Sequence, residues 1–410
     1  MDNNKPEEQY QSIRTSEFDY ELPDEQIARY PAEVRDQARM LMYQKGTIRH
    51  SRFLNLPEEL PPHCVLLFND TKVVPARLVF YKSTGARIEI FCLEPQESDP
   101  AAIFNKKGEI TWNCMVGNLR KWKQDQQLFA ELKNPDIHLK VTFLAKEEDH
   151  CTLKFQWEPE SYTWAEILEH FGETPLPPYL KRAETSEDKD RYQTVFAQNK
   201  GAVAAPTATL HFTRRLTDKL RDKGIKSGNI TLHTGMGTFK PVSDENPYAH
   251  PIHEEMVLAG EETLHFLKAH AGNIIMGGTT TLRAAESVYW AGVYLLEYGE
   301  LPPQGKLQPD FVWQQHGKGL PPGDEVFDAL INHLRETEQD QLLINTRLFI
   351  LPGYSFPLTS GLITNFHQPR STLLMLIAAF IGNDWKKVYQ EALDNDYRFL
   401  SYGDGSLLMR

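Results

Sequence analysis

The chain of 410 residues carries 44 Lys plus Arg against 56 Asp plus Glu, a formal net charge of −12, with 40% hydrophobic and 11% aromatic residues. That length implies two or three domains with a real core and excludes a small stapled scaffold. The charge excludes a generally basic nucleic-acid binder, so any contact with nucleic acid needs a local basic patch.

Residues 1–14 are polar and acidic without periodicity and are expected to form a disordered tail. The opening MDNNKPEEQY has no apolar h-region, and the longest apolar run, Leu373 to Ile381, is short of the roughly 20 residues of a bilayer span. A soluble, cytoplasmic protein without membrane contact is expected. Four scattered cysteines, Cys64, Cys92, Cys114 and Cys151, form no C-x-x-C, which argues against zinc ribbons, iron–sulfur clusters and a disulfide framework.

From Cys64 to Trp157 the apolar runs are short and rich in Val, Ile and Phe: VLLFN (65–69), RIEIFCL (87–93), HLKVTFL (138–144) and CTLKFQW (151–157). They predict a compact all-β unit. The proline-dense TPLPPYLKR (174–182) and the charged AETSEDKDR after it predict a linker. After Gly201 strands alternate with longer helices. Thr213 can cap a helix with Leu216 and Leu220 on one face, ending at Gly224, before the strand NITLHT (229–234). The alternation continues with a helix near Glu261–His270, a strand at Asn273–Met276, a helix from Thr281, a strand at Leu348–Leu351 and a helix at Ser371–Phe380. This predicts an α/β domain. Between Gly292 and Thr346 a Pro-, Gly- and acid-rich stretch breaks the rhythm and predicts a surface excursion.

Common cofactor motifs are absent. Gly235-Met236-Gly237 follows a strand, but Pro241 comes soon after and no third glycine opens a helix; GKGLPPG lacks the ending of a phosphate loop. His233, His250, His253, Glu254 and Glu255 gather within some twenty residues. Proton transfer, polar substrate contact and histidines satisfied by backbone carbonyls all remain open, and the spacing matches no standard zinc motif. GGTTTLRAAES (277–287) places a glycine turn at a strand-to-helix junction, where free N–H groups favour an anion, with Arg283 and Glu286 on one helix face. Gln368-Pro369 disfavours helix after Asn365-Phe366-His367 and delivers His367 from a strand end. Seven basic against two acidic residues between Lys200 and Lys226 give a local +5. That is a phosphate track or a solvated helix face, and Arg120-Lys121-Trp122-Lys123 is a second basic spot.

FNDTKVVPARL (68–78), PLPPYLKR (175–182), GAVAAPTATLHFT (201–213), ITLHTGMGTFKPV (230–242), GTTTLRAAES (278–287), LITNFHQPRSTLLMLIAAF (362–380) and YRFLSYGDGSLLM (397–409) resemble the blocks of the S-adenosylmethionine:tRNA ribosyltransferase-isomerase family of queuosine biosynthesis. The opening FDYELPDEQIARYPAEVRDQARML resembles it too. The resemblance implies transfer and isomerisation of the ribosyl part of S-adenosylmethionine onto 7-aminomethyl-7-deazaguanine at the tRNA wobble position, giving epoxyqueuosine and releasing adenine and methionine. The expected partners are S-adenosylmethionine, a substrate that is consumed, and a tRNA with a GUN-type anticodon; a monomer without cofactor or metal is expected.

By the same resemblance the fold is a barrel-like α/β main domain (15–75 and 175–410) with an inserted closed β-barrel domain (76–174), and 291–345 form a surface insertion longer than the family norm. The site needs a base beside the sulfonium, an acid for departing adenine, a carboxylate clamp and a dry pocket. His253 or Glu255 is the expected base, and His233 and His367 the expected proton donors or adenine contacts. Arg283 with Gly278, Thr279 and Thr280 is expected to hold the methionine carboxylate. Asp70, Arg77, Glu286, Tyr402 and Asp404 complete the expected substrate contacts, and Lys200, Arg214 and Arg215 the tRNA contacts. Met256, Thr209 and Arg370 depart from the family pattern, which leaves two rivals: transfer to a different acceptor, and a noncatalytic RNA-binding paralogue.

Overall fold

The computed structural model describes residues 12–96, 103–124, 126–147, 150–235, 242, 244–250, 252–315 and 318–410. Its strands are, in chain order, β1 Arg39–Gln44, β2 Thr47–Arg52, β3 Val65–Asn69, β4 Thr71–Val73, β5 Arg77–Tyr81, β6 Arg87–Pro95, β7 Glu109–Gly117, β8 Gln127–Lys133, β9 Asp136–Lys146 and β10 Cys151–Glu158. They continue with β11 Gly172–Glu173, β12 Asn199–Ala202, β13 Lys226–His233, β14 Glu255–Gly260, β15 Ile274–Gly277, β16 Lys306–Leu307, β17 Gln341–Thr346, β18 Thr359–Asn365 and β19 Gly405–Met409. The helices of eight or more residues are α1 Trp164–Phe171, α2 Arg214–Asp222, α3 Glu261–His270, α4 Thr279–Tyr298, α5 Gly323–Glu336, α6 Thr372–Ile381 and α7 Trp385–Asp394.

Local chemistry sets several boundaries. The Thr213 hydroxyl accepts the Leu216 N–H and starts α2, whose Leu216 and Leu220 are buried. Ser371 caps α6 in the same way through the Leu374 N–H, and Thr163 with Glu166 forms a capping box at α1. VLLFN is buried at every position, as a strand covered on both faces must be.

Among the described residues β16-β17-β14-β13-β3-β15-β18-β19-β1-β2 form one ten-stranded mixed sheet. Its centre, β13-β3-β15-β18, is parallel throughout, so the C-terminal ends of four strands share one edge. α4 is buried along most of its length against this sheet. A second, antiparallel sheet runs β11-β5-β6-β7-β10-β9-β8 around its own core of Trp112, Phe155, Trp157 and Trp164. The order is open among the described residues: no ladder joins β8 to β5, so the expected closed barrel is not seen in the hydrogen bonding. No described helix is long and apolar enough to cross a membrane.

Four expectations need correction. VLLFN lies in the ten-stranded sheet, where β3 pairs with β13 and β15, and not in the all-β unit. Leu348–Leu351 is buried but makes no ladder; the strand is β17, immediately before it. The stretch 291–345 is no surface excursion. It supplies the end of α4, the edge strand β16 with its neighbour β17, and α5, whose Val326, Phe327, Leu330, Ile331 and Leu334 join the main core. Pro302, Pro303 and Gly305 lie in the connection between α4 and β16, and Pro321 and Pro322 directly precede α5. The linker at 174–182 buries Leu176 and Leu180 against Val73, Tyr192 and Tyr402. Of the expected tail, residues 1–11 lie outside the described residues, while Ile13 packs partly buried on the main core.

Candidate active site

The parallel centre of the sheet ends in a cleft. Thr234 follows β13, Gly278 to Thr280 join β15 to α4, Thr364 and Asn365 end β18 and His367 follows them. A crevice at the carboxyl ends of parallel strands is where α/β proteins place ligands. The loop 204–208, Tyr179 and Leu400–Ser401 close its other walls, around a narrow cavity of about 80 Å³ that opens to solvent. Among the described residues no Lys, Arg, Asp or Glu lines it.

Burial and hydrogen bonding fix its polar groups. His367 Nε2 lies 2.8 Å from Thr364 Oγ1, its N–H donates to the Tyr389 hydroxyl at 3.0 Å, and Tyr20 donates to its carbonyl. Burial pulls the His367 imidazole down to about 3, so the ring is neutral at physiological pH. The Thr207 hydroxyl donates to Asn365 Oδ1 at 2.8 Å, and the Asn365 amide donates to the Asp404 carbonyl at 3.4 Å. His211, stacked on Phe53 with 4.1 Å between ring centroids, approaches the same amide and is pulled down to about 3 by burial first and by the Arg398 charge second.

At the start of α4, Gly278 has φ 110°, a conformation that excludes most side chains, and no side chain caps the helix. The first N–H groups of α4 therefore face the cleft, where the helix dipole favours an anion. The Thr280 hydroxyl is buried there without a partner among the described residues.

The expected catalytic residues separate. His367 lines the cleft. His233 stands one residue before the lining, with Nδ1 2.9 Å from Thr71 Oγ1 and its ring against Gly201; burial pulls it down to about 4. Glu255 is buried in an ion pair with Arg283, whose Nε also donates to the Leu348 carbonyl at 3.1 Å. Neither lines the cleft, so the pair ties α4 to β14, and the expected base and clamp are joined to each other. His253 is exposed, two residues before β14. Residues 236–241, with most of the GMGTF turn, lie outside the described residues.

The remaining expected contacts each have partners within the chain. Glu286 shares no partner with Arg283; it is fully buried, accepts from Thr359 at 2.7 Å and Tyr354 at 3.2 Å, and burial pushes it up to about 7. Asp70 Oδ1 accepts from Thr231 at 2.6 Å and Asn199 at 3.2 Å, tying β3 to β13 and β12. Arg77 pairs with Glu89 at 2.9 Å and Glu173 at 3.6 Å within the second sheet. The Tyr402 hydroxyl donates to Asp188 at 2.7 Å, and Asp404 accepts the N–H groups of Arg39 and Arg398, each at 2.9 Å. Arg215 holds buried Asp36 at 2.6 Å and Lys200 pairs with Glu169 at 2.8 Å, so neither is a free cation for RNA. Arg214 is exposed and borders a separate groove.

Tyr179, Thr207, Asn365, Gln368, Ser371 and Ser401 line the cleft and were not singled out by sequence. The available signal was position. Thr207 sits in the unusual APTATLH segment and Asn365 two residues before His367.

Fold and cleft together define a mixed α/β enzyme whose pocket, uncharged apart from a helix terminus, opens at the ends of the central parallel strands. A family model described as "Queuosine biosynthesis protein" matches residues 15–408. The S-adenosylmethionine:tRNA ribosyltransferase-isomerase of a Sulfurihydrogenibium species is 37% identical over 97% of this chain and 100% of its own length. That of Thermotoga petrophila is 38% identical over the same shares. A solved Thermotoga maritima S-adenosylmethionine tRNA ribosyltransferase aligns at 29% identity over 96% of this chain and 100% of its own, with a TM-score of 0.44. The chain belongs to this queuosine biosynthesis family of S-adenosylmethionine:tRNA ribosyltransferase-isomerases.

Proposed function

We propose that the cleft binds S-adenosylmethionine and transfers its ribosyl part, with isomerisation, to the aminomethyl group of 7-aminomethyl-7-deazaguanine at the wobble position of a tRNA with a GUN-type anticodon. Adenine and methionine leave, and S-adenosylmethionine is a consumed substrate rather than a resident cofactor. The enzyme acts as a cytoplasmic monomer, where its tRNA resides.

The observation that carries this reading is a lining without charged side chains among the described residues, with neutral His367 beside the uncapped start of α4. A cationic imidazole would repel a sulfonium, whereas burial keeps this ring neutral. The methionine carboxylate is matched to the α4 N–H groups and Thr280, which a cationic lining is not needed to hold. With Nε2 on Thr364, His367 offers its other nitrogen to the ligand. In the family reaction the sulfonium acidifies the 5′-carbon, a base removes that proton, adenine departs, and the acceptor amine attacks before methionine leaves. His367 serves proton transfer or adenine contact, with Asn365, Thr207 and Tyr179 as polar contacts for adenine and ribose. His233 and the Glu255–Arg283 pair support the wall from behind.

The test is incubation with S-adenosylmethionine and tRNA bearing the aminomethyl-deazaguanine, followed by quantitation of adenine and mass spectrometry of the digested nucleosides. Adenine with epoxyqueuosine supports the proposal. Adenine without the nucleoside means a different acceptor, to which Met256, placed opposite His233 on the β13–β14 ladder, gives a specific motive. No adenine at all overturns it.

A further inference from the structure

A second depression, of about 1390 Å³ counted to its mouth, lies where the second sheet meets the main domain. Lys72 on β4, Lys189 on the single helical turn Asp188–Arg191, and Arg214 at the start of α2 all border it, with Arg35 beneath them. Arg35 is occupied by the carbonyls of Gln193 at 2.7 Å and Asp190 at 2.7 Å. Lys72, Lys189 and Arg214 make no ion pair among the described residues, although the chain carries twelve more acidic than basic groups.

Arg214 is the most telling. It occupies the first position of α2, the positive end of the helix dipole, where a cation is destabilising. Its neighbour Arg215 is compensated by Asp36, but Arg214 has no such partner. Three cations without an ion pair, from three separate chain segments and one of them against a helix dipole, converge on one groove; Glu169 and Asp190 line it too, Glu169 being held by Lys200, so an external anion meets a cationic excess there. The groove also shares a wall with the cleft: Val73 and Tyr192 of the groove and Ala205 and Tyr179 of the cleft pack in one apolar cluster.

We propose that this groove is the docking track for RNA phosphodiesters flanking the nucleotide in the cleft, with Lys72, Lys189 and Arg214 as the phosphate contacts. The inference rests on the tRNA reading above and replaces Lys200 and Arg215, both already paired, in that role.

The test is tRNA binding by filter retention or anisotropy across a KCl series. The proteins are wild type, the single variants Lys72→Ser, Lys189→Ser and Arg214→Ser, their triple combination, and Lys219→Ser on the same helix outside the groove as a control. Each released phosphate contact lowers the slope of log K against log salt by about 0.7 to 0.9, so the triple variant should lose about 2 to 3 from that slope. Its far-UV spectrum and melting temperature should be retained, and Lys219→Ser should keep the wild-type slope. A folded triple variant with the wild-type slope, or an equal change in Lys219→Ser, overturns the groove. Suppression of wild-type tRNA binding by inorganic phosphate, with the triple variant's slope unchanged, means the groove takes a free anion and also overturns it. Failure of wild type to bind any tRNA would instead refute the substrate reading.

Discussion

Gly201→Ala separates site geometry from fold. A Cβ at Gly201 would stand 2.6 Å from two atoms of the His233 ring, closer than carbon atoms tolerate; one of them, Nδ1, is the atom that meets Thr71 Oγ1 at 2.9 Å, and the φ of 157° at Gly201 adds backbone strain for any side chain. The ring must swing away, losing a hydrogen bond of about 1 kcal/mol and incurring overpacking strain of about 1–3 kcal/mol. The chain still folds, because the surrounding strands β12 and β13 are anchored by their own ladders. A displacement of about 1 Å in a wall of the cleft costs on the order of a hundredfold in turnover. Adenine release under saturating tRNA gives kcat and KM, urea unfolding gives the stability change, and the His233 ring resonances report its pKa. The expected result is a kcat loss far larger than the stability loss explains, together with a His233 pKa rising from about 4 toward its ordinary value as the ring meets water. Wild-type kcat in a folded Gly201→Ala protein would remove His233 from the machinery of the cleft.

Four further outcomes follow from the buried groups. His211, His233 and His367 are neutral in the folded protein with pKa values of about 3, 4 and 3, so the stability they contribute is complete above their unfolded pKa near 6.5 and is lost as pH falls below it. Each should cost about 1 kcal/mol between pH 6.5 and 5.5, about 3 kcal/mol together, read as a falling urea midpoint. Glu286 works in the opposite sense: its stabilising contribution is complete below about 4.5 and is lost as pH rises toward 7, so Glu286→Gln should flatten the stability profile between those values, and an unaltered profile would show that Glu286 does not titrate there. Arg283→Ala should cost about 3–5 kcal/mol because it strands the Glu255 carboxylate, whereas Arg283→Met with Glu255→Gln should cost much less; equal losses would mean the pair is not coupled. Thr280→Val should raise the KM for S-adenosylmethionine about tenfold or more with kcat nearly retained, as loss of a hydrogen bond to a charged group predicts, and an unchanged KM would place the carboxylate elsewhere.

Strongly local signals were legible in the sequence. The cap at Thr213, the boundaries of Glu261–His270 and the helix after Ser371 follow from residue chemistry that needs no tertiary partner. The strand edge that carries the cleft was legible through the glycine turn at 277–278 and through Pro369 after His367. Pairing partners were not. VLLFN has the same composition whether it lies in an antiparallel unit or at the centre of a parallel sheet, and only its ladders to β13 and β15 decide. The stretch 291–345 misled because proline and glycine at connections outweighed the 3.6-residue periodicity of Val326, Phe327, Leu330, Ile331 and Leu334. The partners of charged residues were not legible either: Arg283, Glu255, Asp70, Arg77 and Arg215 form the ionisable pattern expected of an active site, and each pairs with another part of the chain. The side chains that do line the cleft are mostly Thr, Asn, Ser and Ala, whose types alone point to no chemistry.

Those internal ties explain how an uncharged cleft is held in shape. α4 presents its N-terminus to the cleft, and one turn further in Arg283 grips Glu255 on β14 and the Leu348 carbonyl, while the Ser287 hydroxyl meets Thr346 Oγ1 at 2.6 Å. Glu286 on the same helix receives hydrogen bonds from Tyr354 and from Thr359, the first residue of β18, whose other end carries Asn365 and leads to His367. The helix terminus and the imidazole that face each other across the cleft are therefore set by directional bonds to one helix. Apolar packing of equal volume would hold α4 in the core but would allow it to slide by fractions of a turn, whereas each of these bonds is satisfied in a single register. The positions of Gly278 and His367 relative to each other thus depend on buried polar groups that do not line the cleft. That dependence gives the ionisable residues of GTTTLRAAES a use outside the chemistry their types suggested.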